Sequence, residues 1–356
     1  MVSTRLPLTS VPRSHPFTAH IPALTNKEGI QYDVVGVGNA LVDMIAMVDD
    51  AFLGANDMVK GSMALIETDR AVHLTAAVGQ STRTSGGSGA NTLAGVASLG
   101  GDVAFIGKVS DDDLGREFAS DMTSIGVDFR SGGAASDIPT GRCIIAVTPD
   151  AQRTMNTYLG VSTLLSFDDL DAGIIGAGAI LYLEGYLFDR DEAKQAFRTA
   201  ASIAHAQGRV VALTLSDSFC VDRHRDDFRA LVRDEIDLLF ANEDELKSLY
   251  EVADFDEAVQ LLRHDCHIAA VTRSEKGSVI VTRDDIHAVP AAPVAQVVDT
   301  TGAGDLFAAG FLRGLTQGKD LTSCARIGAI AAAEVISHVG PRPLVSLASL
   351  LPDDLK

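Results

Sequence analysis

Short apolar runs alternate with longer amphipathic runs from Tyr32 onward, and this alternation limits the possible folds more than any other feature. "YDVVGVG" (32–38) and "DVAFIGKV" (102–109) are typical of buried strands, and "EAKQAFRTAASIAHAQG" (192–208) is typical of a helix. Parallel strands need long crossover connections, which helices usually supply. The pattern predicts an α/β fold in three layers, α/β/α, with a mostly parallel sheet.

Two segments break this alternation, about residues 44–68 and 138–160. The second contains two short strand-like runs on either side of "TPDAQ" (148–152), which is a hairpin pattern. A hairpin fits poorly inside a doubly wound parallel sheet. We therefore expect these segments to form a small antiparallel sheet beside the main one.

The first 30 residues differ from the rest of the chain. They are rich in Ser, Thr and Pro and contain no acidic residue before Glu28. This composition favours a disordered N-terminal extension. A transit peptide is the second interpretation, because three prolines within the first 16 residues disfavour an amphipathic helix.

Charge and cysteine usage exclude several classes of protein. The chain has 29 basic and 48 acidic residues, a net charge of −19, and no Lys/Arg-dense stretch to bind nucleic acid. The cysteines are far apart and form no C-x-x-C motif: Cys143, Cys220, Cys266 and Cys324. We therefore expect neither a disulfide framework nor a zinc site, and we expect a reducing, cytoplasmic location. No apolar run approaches the roughly 20 residues of a membrane span, so no membrane association is expected.

The stretch "VVDTTGAGDLFAAGF" (297–311) places one acid where a glycine turn leads into a helix-like run. Glycines leave backbone amides unshielded, and amides at a helix N-terminus form an anion site. Asp305, directly after Gly302 and Gly304, could accept the proton of an alcohol that attacks a phosphoryl group. The amides would hold the charge that develops on that group. Taken alone, the stretch also fits an ordinary helix start with a capping acid.

The stretch "NEDE" (242–245) is a candidate metal site. Asn242 and Glu245 are three residues apart and would share one face of a helix. An amide oxygen and a carboxylate suit Mg²⁺ or its bound waters. A solvated acidic helix start is the alternative.

Two further glycine-containing stretches are candidate ligand sites. In "TSGGSGANTLAGVASLGG" (84–101) the glycines would let a polyhydroxy ligand approach the backbone, and Asn91 offers both a donor and an acceptor. A tight strand–helix turn is the alternative. "VGVGNALVDM" (35–44) is a partial dinucleotide fingerprint with Leu41 where the third glycine belongs. Asp43 in the same stretch could bind a vicinal diol.

Together these motifs resemble a known family. "DTTGAGDLFAAGF" (299–311) resembles the C-terminal signature of the PfkB, or ribokinase-like, carbohydrate kinases. "GGSGANTLAGVASLGGDVAFIGKVSDDDLGREF" (86–118) resembles their N-terminal signature, and the resemblance extends over roughly residues 32–345. It implies a ribokinase-like kinase domain over residues 31–350, in which the two irregular segments, 44–68 and 138–160, form a β-sheet lid.

The resemblance also implies roles for individual residues. Asp305 matches the catalytic base, and Gly302, Ala303 and Gly304 match an anion hole that faces the transferring phosphate. The positions that bind the substrate are Asn39, Asp43, Gly86, Gly87, Ser88 and Asn91. The positions beside the nucleotide are Asn242, Glu245, Thr272, Gly277 and Thr300.

The expected cofactors are ATP and Mg²⁺, with the ion organised by Asn242 and Glu245 through bound water. A monovalent cation such as K⁺ is a further candidate, because several relatives depend on one. The loop "TRSEKG" (272–277) departs from the usual T-x-G-x-x-G, since Ser274 replaces a glycine. The expected partners are a small-molecule substrate and ATP. Monomer and homodimer both remain open, because an exposed lid edge can pair with a second subunit or stay single.

The phosphoryl acceptor is predicted from Ser88, which stands where ribokinases have a lysine. G-G-S followed by Asn resembles the adenosine kinase-like branch, and Met63, Tyr158 and Leu159 could form an apolar slot for a base or simply pack the lid. The prediction is ATP-dependent phosphorylation of a ribose-bearing substrate, with adenosine giving AMP. The alternatives are a kinase of ribose, fructose or 2-keto-3-deoxygluconate, a dinucleotide-dependent oxidoreductase and a catalytically silent relative.

Overall fold

The computed structural model describes residues 28–131, 137–150 and 152–356. Of the predicted N-terminal extension, residues 1–27 lie outside the described part of the chain. The strands are β1 (Tyr32–Val37), β2 (Leu41–Met47), β3 (Met63–Leu65), β4 (Thr82–Gly86), β5 (Val103–Gly107), β6 (Val127–Ser131), β7 (Gly141–Val147), β8 (Arg153–Tyr158), β9 (Gly178–Glu184), β10 (Val210–Thr214), β11 (Leu238–Asn242), β12 (Ile268–Thr272), β13 (Ser278–Thr282) and β14 (Ile286–Val289). The α-helices are α1 (Asp50–Ala55), α2 (Thr68–Val78), α3 (Ser88–Ser98), α4 (Asp113–Ser124), α5 (Ala172–Ala177), α6 (Asp191–Ala206), α7 (Ser218–Glu235), α8 (Glu243–Tyr250), α9 (Phe255–Asp265), α10 (Ala303–Thr316) and α11 (Leu321–Val335).

The main sheet has nine strands in the order β14-β13-β12-β11-β10-β9-β1-β5-β6. From β6 to β12 every neighbouring pair is parallel, and β13 and β14 add an antiparallel edge. Parallel strands connected through helices bury both sheet faces, which explains the nearly continuous apolar runs in the sequence. The predicted α/β fold with a mostly parallel sheet is confirmed.

The helices cover both faces of this sheet and create two hydrophobic cores. On β9, Ile180 and Tyr182 face α3, α4, α10 and α11, whereas Leu181 and Leu183 face α5 to α9. Successive strand residues point to opposite faces, so one strand contributes to both cores. The resulting structure has three layers, α/β/α.

A second, small sheet has five strands in the order β3-β8-β7-β2-β4. The prediction of an antiparallel sheet is wrong in part, because β2 pairs with β7 and β3 with β8 in parallel. The β7–β8 hairpin and the β2–β4 pair are antiparallel. Strands distant in sequence are not joined by a tight turn, so hairpin geometry does not dictate their direction. The edge strand β4 also lies outside the two segments predicted for this sheet.

The carboxyl ends of the parallel strands bring the polar candidates together. β1 leads into Asn39, β9 ends at Glu184, β11 at Asn242 and β12 at Thr272. In open α/β sheets, ligands bind outside this edge. Among the described helices, none has the length and apolar character needed to cross a membrane.

Candidate active site

Helix α10 begins at a glycine turn, residues 302–304, with Gly302 as its N-cap at φ +80°. A Cβ on Gly302 would lie 2.9 Å from the Cα of Pro341, so the turn requires glycine for space as well as for conformation. The amide of Ala303 donates to the carbonyl of Thr300 at 3.2 Å and closes the turn. A Cβ on Gly304 would meet no atom within 4 Å. The helix N-terminus therefore faces open space that a phosphoryl group can enter.

Asp305 lies in the first turn of α10 and is held by α3. The Ser88 hydroxyl donates to its Oδ1 at 2.6 Å, and the Asn91 amide donates to its Oδ2 at 3.1 Å. Burial raises the pKa of Asp305 to about 6, although both hydrogen bonds oppose that shift. The carboxylate is thus ionised at neutral pH and a stronger base than an exposed aspartate, as proton abstraction requires.

Asn91 itself is 5% exposed, and its Oδ1 is buried without a hydrogen-bond partner. A buried acceptor in that state usually marks a missing donor. A substrate hydroxyl beside Asp305 would supply one.

Asp43, in the middle of β2, is the second carboxylate of the site and is 7% exposed. Its carboxyl packs on Gly86, where a Cβ would lie 2.5 Å from the carboxyl carbon. The pKa of Asp43 is raised to about 6, chiefly by burial. The charge of Asp305 acts in the same direction, whereas Arg342 and Arg153 oppose the shift. The two acids therefore act on each other electrostatically at one end of the sheet.

The turn between β4 and α3 depends on Gly87. This residue has φ +97°, and any Cβ would collide with the carbonyl oxygen of Asn39. Gly87 therefore brings the start of α3 against the end of β1.

Glu184 is a functional candidate that the sequence reasoning missed. It is 1% exposed, and its carboxylate accepts from the side-chain amide of Asn39 at 2.8 Å and from the backbone amide of Gly89 at 2.7 Å. Ser162 donates to the other end of the Asn39 side chain at 2.9 Å. Asn39, predicted to bind substrate, thus uses its side chain to hold this network. The available signal was an acid at the end of the apolar strand "AILYLE" (179–184).

The predicted Asn242–Glu245 pair forms a reciprocal capping box at the start of α8. The backbone amide of Glu245 donates to Asn242 Oδ1 at 2.8 Å, and Glu245 Oε2 accepts from the backbone amide of Asn242 at 2.9 Å. Glu245 is 5% exposed, and burial, with the charges of Asp217 and Asp244, raises its pKa to about 7.

These residues fit a hydrated Mg²⁺ ion. A buried carboxylate surrounded by other acids lacks a compensating charge, which a divalent cation supplies. Within the described ranges, no group of three or more acidic, His or Cys side chains is placed to hold a metal. Mg²⁺ with few protein ligands keeps several waters and binds substrate phosphates.

The loop 272–277 lies next to this pair, because Thr272 is the register partner of Asn242. Gly277 has φ +87° and leaves no room for a Cβ beside the carbonyl of Val289. Ser274 has φ +51°, a conformation that favours glycine. A glycine, as in the T-x-G-x-x-G pattern, would adopt this conformation with less strain than Ser274 does.

Arg153 is a second residue that the sequence reasoning missed. It extends from β8 to the loop before α10, where its guanidinium pairs with Asp299 and donates to Thr301 Oγ1 at 2.9 Å. Both charged side chains are buried, 10% and 5% exposed. Asp299 also accepts from the Gly340 amide at 2.8 Å. The small sheet is thereby attached to the glycine turn.

Tyr158 contacts support its packing role in the small sheet. It is 6% exposed, Thr68 donates to its hydroxyl at 3.0 Å, and Arg142 lies over its ring at 5.7 Å. Of the other two residues considered for a base slot, Met63 is 47% exposed on β3 and Leu159 is partly buried.

Comparisons with known proteins agree with this geometry. The profile of the pfkB family carbohydrate kinases matches residues 56–346. The solved adenosine kinase from Sinorhizobium meliloti is 51% identical, with a TM-score of 0.83 over 90% of this chain and 98% of that one. A probable sugar kinase from Rhizobium etli CFN 42 is 46% identical, with a TM-score of 0.83 over 90% and 97%. Fructokinase-1 of Oryza sativa subsp. japonica is 30% identical over 65% of this chain and 74% of its own length. The chain belongs to the pfkB carbohydrate kinase family and is a phosphotransferase that acts on a sugar or nucleoside hydroxyl.

Proposed function

We propose that this kinase phosphorylates the primary hydroxyl of adenosine and produces AMP. The observation that carries the proposal is the 51% identity, across 90% of the chain, with the adenosine kinase from Sinorhizobium meliloti. Kinases of this family generally use ATP with Mg²⁺. The substrate's ribose would lie between the carboxylates of Asp43 and Asp305.

Asp305 acts as the general base in this proposal. A primary hydroxyl has a pKa far above that of any carboxylate, so the proton moves to Asp305 during attack and not before it. The hydrogen bonds from Ser88 and Asn91 keep the carboxylate oriented toward the acceptor. The amides of the glycine turn face the charge that develops on the transferring group.

The ribose is held by side chains that are fixed before it binds. Asp43 offers two acceptors to a vicinal diol, and the buried Oδ1 of Asn91 accepts from a substrate hydroxyl. The Glu184–Asn39 network keeps the turn around Gly89 in place behind them. Fixed partners of this kind reduce the entropic cost of orienting the hydroxyl for attack.

The small sheet serves as a lid over this site. Its strand β8 carries Arg153, and its strand β2 carries Asp43, so the sheet contributes to both ends of the acceptor region. Closure would exclude water, which strengthens each electrostatic interaction inside the site. The segments we assign to the lid are 44–68 and 138–160, extended by β4.

Mg²⁺, when bound with ATP, would neutralise phosphate charge, and Glu245 with Asn242 would hold its water shell. We expect Glu245→Gln to raise the Mg²⁺ concentration for half-maximal activity by about tenfold or more, the usual cost of removing an outer partner of a metal. Glutamine can replace glutamate in a capping box, so the variant should fold. Without Mg²⁺ its melting temperature should not fall, because the substitution removes a buried charge whose pKa is raised to about 7. The measurement is a Mg²⁺ titration of turnover.

Asp244→Asn is the matched control for this variant, because Asp244 is an adjacent acid whose side chain is 81% exposed. It should leave the Mg²⁺ dependence close to that of the wild type. An unchanged Mg²⁺ dependence of Glu245→Gln would remove the residue from the metal site.

The acceptor is tested by ATP turnover with adenosine, inosine, guanosine, ribose, fructose and 2-keto-3-deoxygluconate. We expect kcat/KM to be highest for adenosine, because the relative with 51% identity is an adenosine kinase. Preference for a free sugar would keep the chemistry and contradict the proposed acceptor. The fructokinase relatives make fructose the second candidate.

The remaining parts of the proposal concern the setting of the enzyme. All four cysteines are buried thiols, which supports a reducing, cytoplasmic location. Dependence on a monovalent cation and the choice between monomer and homodimer stay predictions.

A further inference from the structure

Arg342 lies in the loop after α11, in "GPRP" (340–343), and has no role in the function proposed above. Its Nη2 donates to the carbonyl of Ser85 at 2.8 Å and to the Ser85 hydroxyl at 3.0 Å. It also contacts the sulfur of Met122 at 3.5 Å. One guanidinium therefore joins the C-terminal loop to β4 of the small sheet and to α4.

The other donors of this guanidinium have no partner. Arg342 Nε and Nη1 are buried without a hydrogen bond. Buried donors in native proteins are almost always hydrogen-bonded, so two donors without an acceptor on one guanidinium need an explanation. A guanidinium kept in this condition is placed for its charge and its fork of donors, not for packing alone.

Three carboxylates interact electrostatically with this cation, those of Asp121, Asp43 and Asp305. Asp121 on α4 accepts from the Ser85 backbone amide at 2.8 Å, directly behind the Ser85–Arg342 contact. Asp43, whose carboxyl packs on the residue after Ser85, and Asp305 are the two acids of the acceptor site, and the charge of Arg342 lowers the pKa of each. Burial lowers the pKa of Arg342 to about 10, which leaves it protonated at neutral pH.

The neighbouring residue ties the same loop to the glycine turn. Pro341 packs on Gly302 so closely that a Cβ there would lie 2.9 Å from the Pro341 Cα. The position of Arg342 is therefore linked to the N-terminus of α10, which carries Asp305.

We propose that Arg342 is a positioning residue, whose positive charge holds the carboxylates of Asp43 and Asp305 together and ionised at the acceptor site. The inference rests on the proposed role of Asp305 as the base. Arg342 does not contact the reacting atoms in this assignment. Its effect passes through the two acids.

Other titratable groups also act electrostatically with Asp305, and most are acidic or neutral. The groups coupled to it are Arg342, Asp43, Glu184, Glu245, Tyr182 and Tyr186. Loss of the cation would leave the negative charges of Asp43 and Asp305 with less nearby positive charge. Repulsion between like charges favours the protonated form of each acid. The expected direction is therefore a higher pKa for both acids.

The test is the pH profile of kcat/KM for Arg342→Gln. We expect the acid limb, where activity falls as the base is protonated, to move to higher pH by about one unit or more. At pH values below this limb, kcat/KM should be about tenfold lower than in the wild type, or lower still. Activity should recover toward the wild-type value at about pH 9, where Asp305 is ionised in both proteins. Arg326→Gln is the control, because Arg326 is an exposed arginine on α11 that pairs with Asp354. It should leave the profile unchanged.

Arg342→Lys separates charge from geometry and also decides the matter if Arg342→Gln does not fold. Lysine keeps the charge but lacks the planar fork, so the acid limb should stay near that of the wild type while kcat falls and the KM for ATP is unchanged. A full wild-type kcat in Arg342→Lys would contradict positioning. An acid limb that does not move in folded Arg342→Gln would overturn the inference.

Failure of the underlying function gives a different result. If Asp305→Asn kept its turnover, Asp305 would not be the base, whatever the profile of Arg342→Gln. If Asp305→Asn is inactive and the Arg342→Gln profile equals that of the wild type, only the inference about Arg342 fails.

Discussion

Asp305→Asn should lower kcat by about 10²- to 10⁴-fold, the range that general-base catalysis contributes. Asparagine has nearly the same shape but cannot accept the hydroxyl proton. The Ser88 hydroxyl can rotate to accept from the new amide, and Asn91 can still donate to the remaining oxygen. Binding of ATP should therefore persist, and turnover at saturating substrate is the measurement.

The same substitution should make the protein more stable at neutral pH. The pKa of Asp305 is raised from 3.8 to about 6, so the folded state binds the proton more tightly than the unfolded state does. Ionisation of this group then lowers the free energy of unfolding. The loss develops as pH rises from 3.8 to about 6 and is complete above that range. Removing the charge should raise the free energy of unfolding by about 1–3 kcal/mol near pH 8.

Asp353→Asn is the control, because the Asp353 side chain is 97% exposed and pairs with Lys356. It should change neither turnover nor stability. If Asp305→Asn retained more than about a tenth of the wild-type kcat, the loss would be too small for a general base, and Asp305 would lose that role.

Arg153→Met should destabilise the protein by about 3–5 kcal/mol, the usual cost of removing one partner of a buried ion pair. Asp299 is left with its charge buried, and its remaining donors are the amide of Gly340 and the amide and hydroxyl of Thr301. The turn that carries Asp305 loses its attachment to the small sheet. We therefore expect kcat/KM to fall by about tenfold or more, as misplacement of catalytic groups causes. Denaturant unfolding and steady-state kinetics measure the two effects.

A double-mutant cycle with Asp299→Asn isolates the ion pair. Neutralising both partners removes the uncompensated charge, so the double variant should be more stable than Arg153→Met alone. Arg83→Met is the matched control, since Arg83 belongs to the same sheet but pairs with Glu117 at the surface, 40% and 38% exposed. Exposed pairs contribute at most about 1 kcal/mol. Equal destabilisation by Arg83→Met and Arg153→Met would show that the buried pair has no special role.

The sequence predicted those features that arise within one contiguous stretch. The alternation of apolar and amphipathic runs predicted the parallel sheet, since each strand buries both faces and each helix one. Gly302, Gly304 and Asp305 form one local unit, and the structure places them at the N-terminus of α10 as expected. The spacing of Asn242 and Glu245 predicted that they share one helix face, and the structure places both at the start of α8, where they also bond each other.

The missed residues depend on contacts between distant parts of the chain. Arg153 meets Asp299 across 146 positions, and Glu184 meets Asn39 across 145. No sequence pattern links the two members of either pair. Without its partner in view, each residue looks like an ordinary polar residue at a strand end or in a loop. Strand direction in the small sheet was missed for the same reason, since β2 and β7 are joined by no turn.

The sequence by itself determined the fold class and the turn that carries Asp305, because backbone conformation and hydrophobic periodicity are local properties. The family was identified by the resemblance of two signature motifs. Tertiary structure alone decided which charges share the site. It placed Arg342, from the end of the chain, beside Asp43 and Asp305, and Glu184 behind Asn39. Electrostatic interaction and desolvation depend on distance through space and on burial, and neither quantity is set by position along the chain.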